Sequence, residues 1–233
     1  MARILLIETS TAKLSVALAE DGKVVSSCSS DEARQQASLT APFVKEVLDR
    51  QGLRVSDCDA ICTGKGPGSY TGLRVGVSTA KGLAFGADKP LIAIGTLDIL
   101  AAACHPERSE EYPSFIVPMI DARRMEVYTA VFSPDGKQLT PVEAKVIDTE
   151  SFAEYLELGP VLFVGDGAMK CREVITHPNA RFRETWPEAE AMAPLAQQAY
   201  DEGRFEDLAY FEPFYLKDFV ATVSRKSAWL LNH

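Results

Sequence analysis

The sequence predicts an α/β fold built from two similar halves, each a mixed β-sheet covered by helices. Three observations carry this prediction. Apolar runs of strand length, nearly continuous, alternate with longer helical stretches, the pattern of strands buried on both faces. An acidic residue closes the first strand of each half, Glu8 in one and Asp121 in the other, 113 positions apart. An Asp-Gly turn then follows each acid, at Asp21-Gly22 and at Asp135-Gly136, 114 positions apart. The repeat divides the chain into residues 1–105 and 106–233, and it places Glu8 and Asp121 at equivalent strand ends facing a shared cleft. Ligands of open α/β sheets bind at such ends.

The elements follow in order. Residues 3–7 form the first strand and 14–19 the second. Asp21-Gly22 is a hairpin signal, because Gly tolerates positive φ, and Val24-Val25 opens a third strand. A helix is expected over 39–51, with Leu39, Phe43, Val44, Val47 and Leu48 on one stripe, Pro42 in its first turn and Gly52 as its stop. A short strand over 60–63 enters a glycine-rich loop, and a second long helix covers 71–86. Residues 91–94 are a strand and 97–104 a helix. The second half opens with a strand over 115–120, where Pro118 removes a ladder donor and predicts a bulge or an edge. Residues 127–132 are the next strand, and the chain returns near Leu139. A helix over 151–158, a strand over 161–164, the loop Gly165-Asp166-Gly167 and a helix over 194–202 complete the pattern.

Composition narrows the function classes. The chain has 233 residues, 46% hydrophobic and 24% charged, which fits a folded domain and not a disordered or fibrous one. Its 24 Lys and Arg against 33 Asp and Glu leave a net charge of -9. A protein that grips nucleic acid by itself carries a basic footprint, so any such role needs a basic partner or a small local patch. There is no apolar stretch of about 18 residues to cross a membrane, and the N-terminus lacks the flanks of a signal peptide. Five cysteines without a CxxC pair argue against disulfides or structural zinc, and predict reduced, buried thiols in a cytoplasmic protein.

The richest segment is Thr63-Gly64-Lys65-Gly66-Pro67-Gly68-Ser69-Tyr70-Thr71-Gly72-Leu73-Arg74-Val75-Gly76. It fails the spacing of the P-loop, of the dinucleotide fingerprint and of the nucleophile elbow. What remains is a tight loop feeding a helix N-terminus. Free N–H groups there can attract an anion, or the loop is a turn that binds nothing. In the following helix Gly72, Gly76 and Ala80 recur every four residues. Gly costs roughly 1 kcal/mol relative to Ala in a helix, so a close backbone approach must offset it. That approach comes from internal packing or from a partner protein. His105, His177 and His233 form no ligand pattern, so no metal site and no catalytic base–nucleophile pair is expected.

The run Gly66 to Arg74 resembles the hallmark of the TsaB family, also called YeaZ. Ile7-Glu8-Thr9-Ser10, Ile120-Asp121-Ala122-Arg123-Arg124, Val164-Gly165-Asp166-Gly167 and Glu212-Pro213-Phe214-Tyr215-Leu216-Lys217 agree in the same order, over essentially the whole chain. The resemblance implies an actin-like ATPase (ASKHA) fold of two RNase H-like halves. It implies a role in making N6-threonylcarbamoyladenosine at position 37 of tRNAs that read ANN codons. It implies a non-catalytic scaffold without cofactor, binding the catalytic paralogue TsaD, with the ATPase TsaE joining and TsaC-type enzymes supplying threonylcarbamoyl-adenylate. Transfer RNA is then met only through the complex, and a homodimer can form when the partner is absent.

The departures point the same way. The catalytic paralogue carries an H-x3-H metal pair on its first helix, and the matching positions here are Gln36 and Thr40. Glu8 replaces the acid common in the superfamily and in TsaB itself, and Ala122-Arg123 replaces a Gly-Gly pair. A weakened or filled nucleotide cleft is therefore expected at Glu8, Thr9, Ser10, Asp121, Arg123, Gly165, Asp166 and Gly167, with Arg123 able to pair with Glu8 or Asp121. An active small-molecule kinase and a metallopeptidase are the alternatives, opposed by the missing glycines and histidines. The partner surface is expected on the first two long helices, at Leu39, Phe43, Val47, Gly72, Leu73, Gly76, Val77 and Ala80. Lys217, Arg225 and Lys226 are the compact basic candidates.

Overall fold

The computed structural model of the chain describes residues 1–32, 34–104 and 113–216. The first half holds β1 (Arg3–Glu8), β2 (Leu14–Glu20), β3 (Lys23–Ser30), α1 (Gln36–Asp49), β4 (Ala60–Gly66), α2 (Tyr70–Ala87), β5 (Leu91–Gly95) and α3 (Thr96–Ala102). The second holds β6 (Phe115–Asp121), β7 (Glu126–Thr129), β8 (Glu143–Val146), α4 (Ala153–Leu158), β9 (Val161–Val164), α5 (Ala168–Cys171) and β10 (Ala180–Arg183). After these comes α6 (Ala189–Asp201).

Both sheets have one topology. The first runs β3-β2-β1-β4-β5 and the second β8-β7-β6-β9-β10. In each, the opening strand is central, with an antiparallel hairpin partner on one side and a parallel crossover strand on the other. This is the actin-like ATPase fold of two RNase H-like halves. The central position of β1 explains its unbroken Ile4-Leu5-Leu6-Ile7 run. Leu5 and Ile7 pack with Val44, Val47 and Leu48 of α1 and Ala80 and Ala84 of α2. Ile4 and Leu6 face Met192, Ala193 and Ala196 of α6. Alternate residues thus serve opposite cores.

Several expected bounds shift for physical reasons. Pro42, expected in a first turn, and Pro194, expected to open its helix, both lie past the first turn, because α1 starts at Gln36 and α6 at Ala189. Pro118 produces neither a bulge nor an edge. It sits in the central strand β6, and the ladder to β7 is interrupted without changing register: Ile116 pairs with Phe132 and Met119 with Thr129. The Thr129 hydroxyl donates to the Pro118 carbonyl at 2.8 Å across the gap. The return strand expected near Leu139 becomes regular only at Glu143, since Pro141 lacks a donor and Val131 N–H turns to the Thr140 hydroxyl at 2.9 Å.

The helix α6 covers the first sheet, although it follows the second in sequence. Ala189 N–H donates to the Ser15 hydroxyl at 2.8 Å, and Lys13 pairs with Glu188 at 2.9 Å. The helix α3 is shared: Ile99 joins the core under α6, and Leu97 and Leu100 pack on Ile116, Ile120 and Val164 of the second sheet. The expected division at 105/106 falls beside residues 105–112, outside the described residues, and α6 crosses it. Among the described residues no helix is long and apolar enough to span a membrane. Cys58, Cys62, Cys104 and Cys171 are buried and Cys28 half-buried, all as free thiols.

Candidate functional site

The site is the pair of glycine loops at the carboxyl ends of β4 and β9, each folded over the end of the strand that opens its half. In the first half, the turn Glu8-Thr9-Ser10 is locked beneath the loop and the N-terminus of α2. Ser69 N–H donates to Ser10 O at 2.7 Å, and the Thr9 hydroxyl donates to Gly72 O at 2.8 Å. A Cβ at Gly72 would lie 2.1 Å from Thr9 O, and one at Gly76 would lie 2.2 Å from Thr9 Oγ1. No side chain fits either position. Ser69 caps the helix by accepting from Gly72 N–H.

This geometry corrects the expected partner face. The small-residue stripe of α2 looks inward, against the end of β1. Val47, Leu73, Val77 and Ala80 are buried in the chain's own core, as are Gly72 and Gly76. Leu39 and Phe43 are half-buried. The outward face of α2 carries instead Phe85, 80% exposed, between Gly82 and Gly86, where a Cβ would meet nothing.

Glu8 is fully buried. Its Oε1 accepts from Ser10 N–H at 2.5 Å, and Oε2 has no hydrogen-bond partner among the described residues and lies against Gly64. Burial pushes its carboxyl up to about 7, against the hydrogen bond from Ser10 N–H. Among the described residues the hydroxyls of Ser10, Thr11 and Thr96 are also buried without partners, at the ends of β1 and β5.

The second loop is built alike and charged differently. Gly167 N–H donates to Met119 O at 3.0 Å, and a Cβ at Gly165 would stand 2.2 Å from the same oxygen. Asp121 is exposed. Its N–H donates to Asp166 Oδ1 at 3.0 Å, and its carboxylate takes Arg123 N–H at 2.9 Å and the Lys170 ammonium. Lys170 also donates to Glu126 O at 2.7 Å. Burial pushes the Asp166 carboxyl up, with the charge of Asp121 adding to the rise and hydrogen bonds opposing it. The ion pair expected of Arg123 is thus made by Lys170. Arg123 touches Asp121 only through its backbone, in a turn where Arg123 and Arg124 both adopt positive φ.

Gln36 and Thr40 are engaged with backbone. Gln36 Nε2 donates to Thr11 O at 2.9 Å and Ala12 O at 3.2 Å, and the Thr40 hydroxyl bonds Gln36 O. Among the described residues no three His, Cys, Asp or Glu gather to hold a metal. His177 accepts from Asn179 N–H, while His105, His233, Lys217, Arg225 and Lys226 lie outside the described residues. Two features of the site region escaped the sequence reading. Lys170 stands on a one-turn helix in no motif, and the segment 211–215 folds back onto α2.

Two RNase H-like halves, each with a glycine loop folded over the end of its central strand, define a protein of the actin-like ATPase class. The family model described as "TsaD: tRNA N6-adenosine threonylcarbamoyltransferase" matches residues 30–224. The tRNA threonylcarbamoyladenosine biosynthesis protein TsaB of Escherichia coli is 32% identical over 94% of this chain and 96% of its own length. The TsaB of Bacillus subtilis is 31% identical over 74% of each. The solved structure of YeaZ from Pseudomonas aeruginosa aligns with a TM-score of 0.79 at 30% identity, over 93% of this chain and all of its own. The chain belongs to the TsaB (YeaZ) family.

Proposed function

We propose that this chain serves the formation of N6-threonylcarbamoyladenosine in tRNA as a non-catalytic scaffold that binds and stabilises a TsaD-type transferase. The observation that carries the reading is the near full-length match to proteins named for this biosynthesis, together with the match to the TsaD family model. The site supports the scaffold role. Glu8 is sealed under Gly64, the Thr9 hydroxyl is committed to Gly72, Asp121 is held by Lys170, Gln36 holds the loop after β1, and the Thr40 hydroxyl bonds Gln36 O. None of these groups stands ready to take a phosphate or a metal ion.

The docking surface in this reading is the outward side of α1 and α2, with Leu39, Phe43 and Phe85, and not the buried glycine stripe. A TsaE-type ATPase joins the pair, tRNA is met through the complex, and a second copy can use the same surface when the transferase is absent. Deleting the gene is expected to remove threonylcarbamoyladenosine from bulk tRNA, measured by nucleoside analysis, and a plasmid copy is expected to restore it. A normal level of the modified nucleoside in the deletion strain refutes the reading.

A further inference from the structure

After α6 the chain returns across the first half. Glu206 N–H bonds Leu91 O at 2.8 Å, and Leu208 and Phe211 pack against the core under α1 and α2. The Lys81 ammonium donates to Phe211 O at 2.9 Å and Ala209 O at 3.4 Å, and Phe214 N–H bonds Lys65 O at 2.7 Å. These bonds lay residues 211–215 beside α2 and leave a cleft of about 410 Å³ between them. The Tyr215 ring meets the Tyr70 ring at 4.9 Å. The Arg74 guanidinium lies over the Tyr70 ring, 4.2 Å from its centroid, and lines the cleft beside Tyr215.

Arg74 is exposed, and among the described residues it makes no ion pair. Lys81, two turns on along the same cleft, bonds carbonyl oxygens and no carboxylate. Glu212 lines the cleft too and pairs with neither cation. A guanidinium stacked on a ring that is itself packed against a second ring has lost rotamer freedom before any partner arrives. Its planar fork matches a carboxylate with two parallel hydrogen bonds. Val77, Phe211 and Pro213 supply apolar walls around it. A single Arg in a chain of net charge -9 suits one acidic side chain better than a polyanion.

We propose that Arg74, held by Tyr70 and Tyr215, is the anchor for a carboxylate side chain of the protein partner that docks along α2. This rests on the reading that the chain binds a TsaD-type transferase, and it assigns a role to the run Glu212-Pro213-Phe214-Tyr215: the tail orients the arginine.

The test is titration calorimetry of the full-length chain with the transferase paralogue of the same organism, at low and at physiological salt. Arg74→Ala is expected to weaken binding at least about 10-fold, as hot-spot arginines do. Arg74→Lys is expected to recover little of it, and Tyr215→Ala to lose an intermediate amount. The wild type should lose affinity with salt more steeply than Arg74→Ala, while the melting temperatures of all variants stay together. Equal binding by wild type and Arg74→Ala overturns the anchor and leaves the scaffold reading standing. Absence of wild-type binding removes both. A parallel fall in melting temperature and affinity means that Arg74 is structural and overturns the anchor. A loss of affinity for tRNA with transferase binding unchanged overturns it as well, in favour of a nucleic-acid contact.

Discussion

The two glycine loops share a topology and divide in their electrostatics. In the first half the strand-end acid is buried, hydrogen-bonded through one oxygen and without an ion pair among the described residues. In the second half the equivalent acid is open to solvent and carries a lysine. The difference follows from what each loop feeds. The first runs into α2, eighteen residues long, whose inward glycines let it lie against Thr9 and seal the turn. The second runs into α5, four residues long, which cannot cover Asp121 but places Lys170 within reach of it. One repeat thus yields a packing seam in one copy and a solvated ion pair in the other. A strand-end acid in this fold is therefore not a catalytic signature until its burial and partners are known.

The contrast can be broken most forcefully at the seam. Gly76→Leu is expected to cost at least about 3 kcal/mol or to prevent folding, because even its Cβ collides with Thr9. Gly82→Leu, on the open side of the same helix, is expected to fold with a melting temperature near that of the wild type. Circular dichroism melts of the two variants make the comparison. A well-folded Gly76→Leu monomer shows that α2 does not bear on β1 as described.

The buried acid sharpens the contrast through pH. The Glu8 carboxyl is raised from 4.5 to about 7 in the folded chain, so its neutral form is the one that folding favours. Its contribution is fully present below about pH 4.5 and is lost as pH rises through about 7. The loss is on the order of 3 kcal/mol, at about 1.4 kcal/mol for each tenfold change in proton affinity. Asp98 and Asp166 are also raised by burial and act in the same sense. The decisive quantity is therefore the difference between wild type and Glu8→Gln in urea titrations from pH 5 to 8.5. Glu8→Gln is expected to flatten the decline, and identical pH profiles reject the buried neutral acid.

The smallest effect belongs to the second loop. Lys170→Ala removes a partly exposed ion pair, leaves Asp121 in water, and is expected to cost no more than about 1 kcal/mol, falling with added salt. A larger, salt-independent loss in urea titrations would make the second loop a buried site like the first.

The repeat was legible because it is written in strand-length apolar runs and Asp-Gly turns, local signals that survive without neighbours. The order of elements, the central place of β1 and the need for a close backbone approach at Gly72 and Gly76 leave such marks, whereas the central place of β6 did not, because Pro118 reads as a bulge or an edge. The family motifs were legible for the same reason, as contiguous residues around tight backbone. The strand β10 and the first turn of α6 were not foreseen. Ala180–Arg183 alternates weakly, and Pro194 mimics a helix start.

What the sequence by itself determined is therefore the local chain: which stretches extend, which coil, and where backbone must come close. Only the tertiary structure decided what comes close to what. A glycine stripe on a helix states that something abuts it, and the same four-residue spacing serves an internal turn or another subunit equally well. Folding set Thr9 there, and it brought Lys170 to Asp121 from 49 positions away and Tyr215 to Tyr70 from the far end of the described chain. Such pairings depend on the crossing of sheets and helices, and the burial that sets the charge of Glu8 arises only when every layer around it has closed.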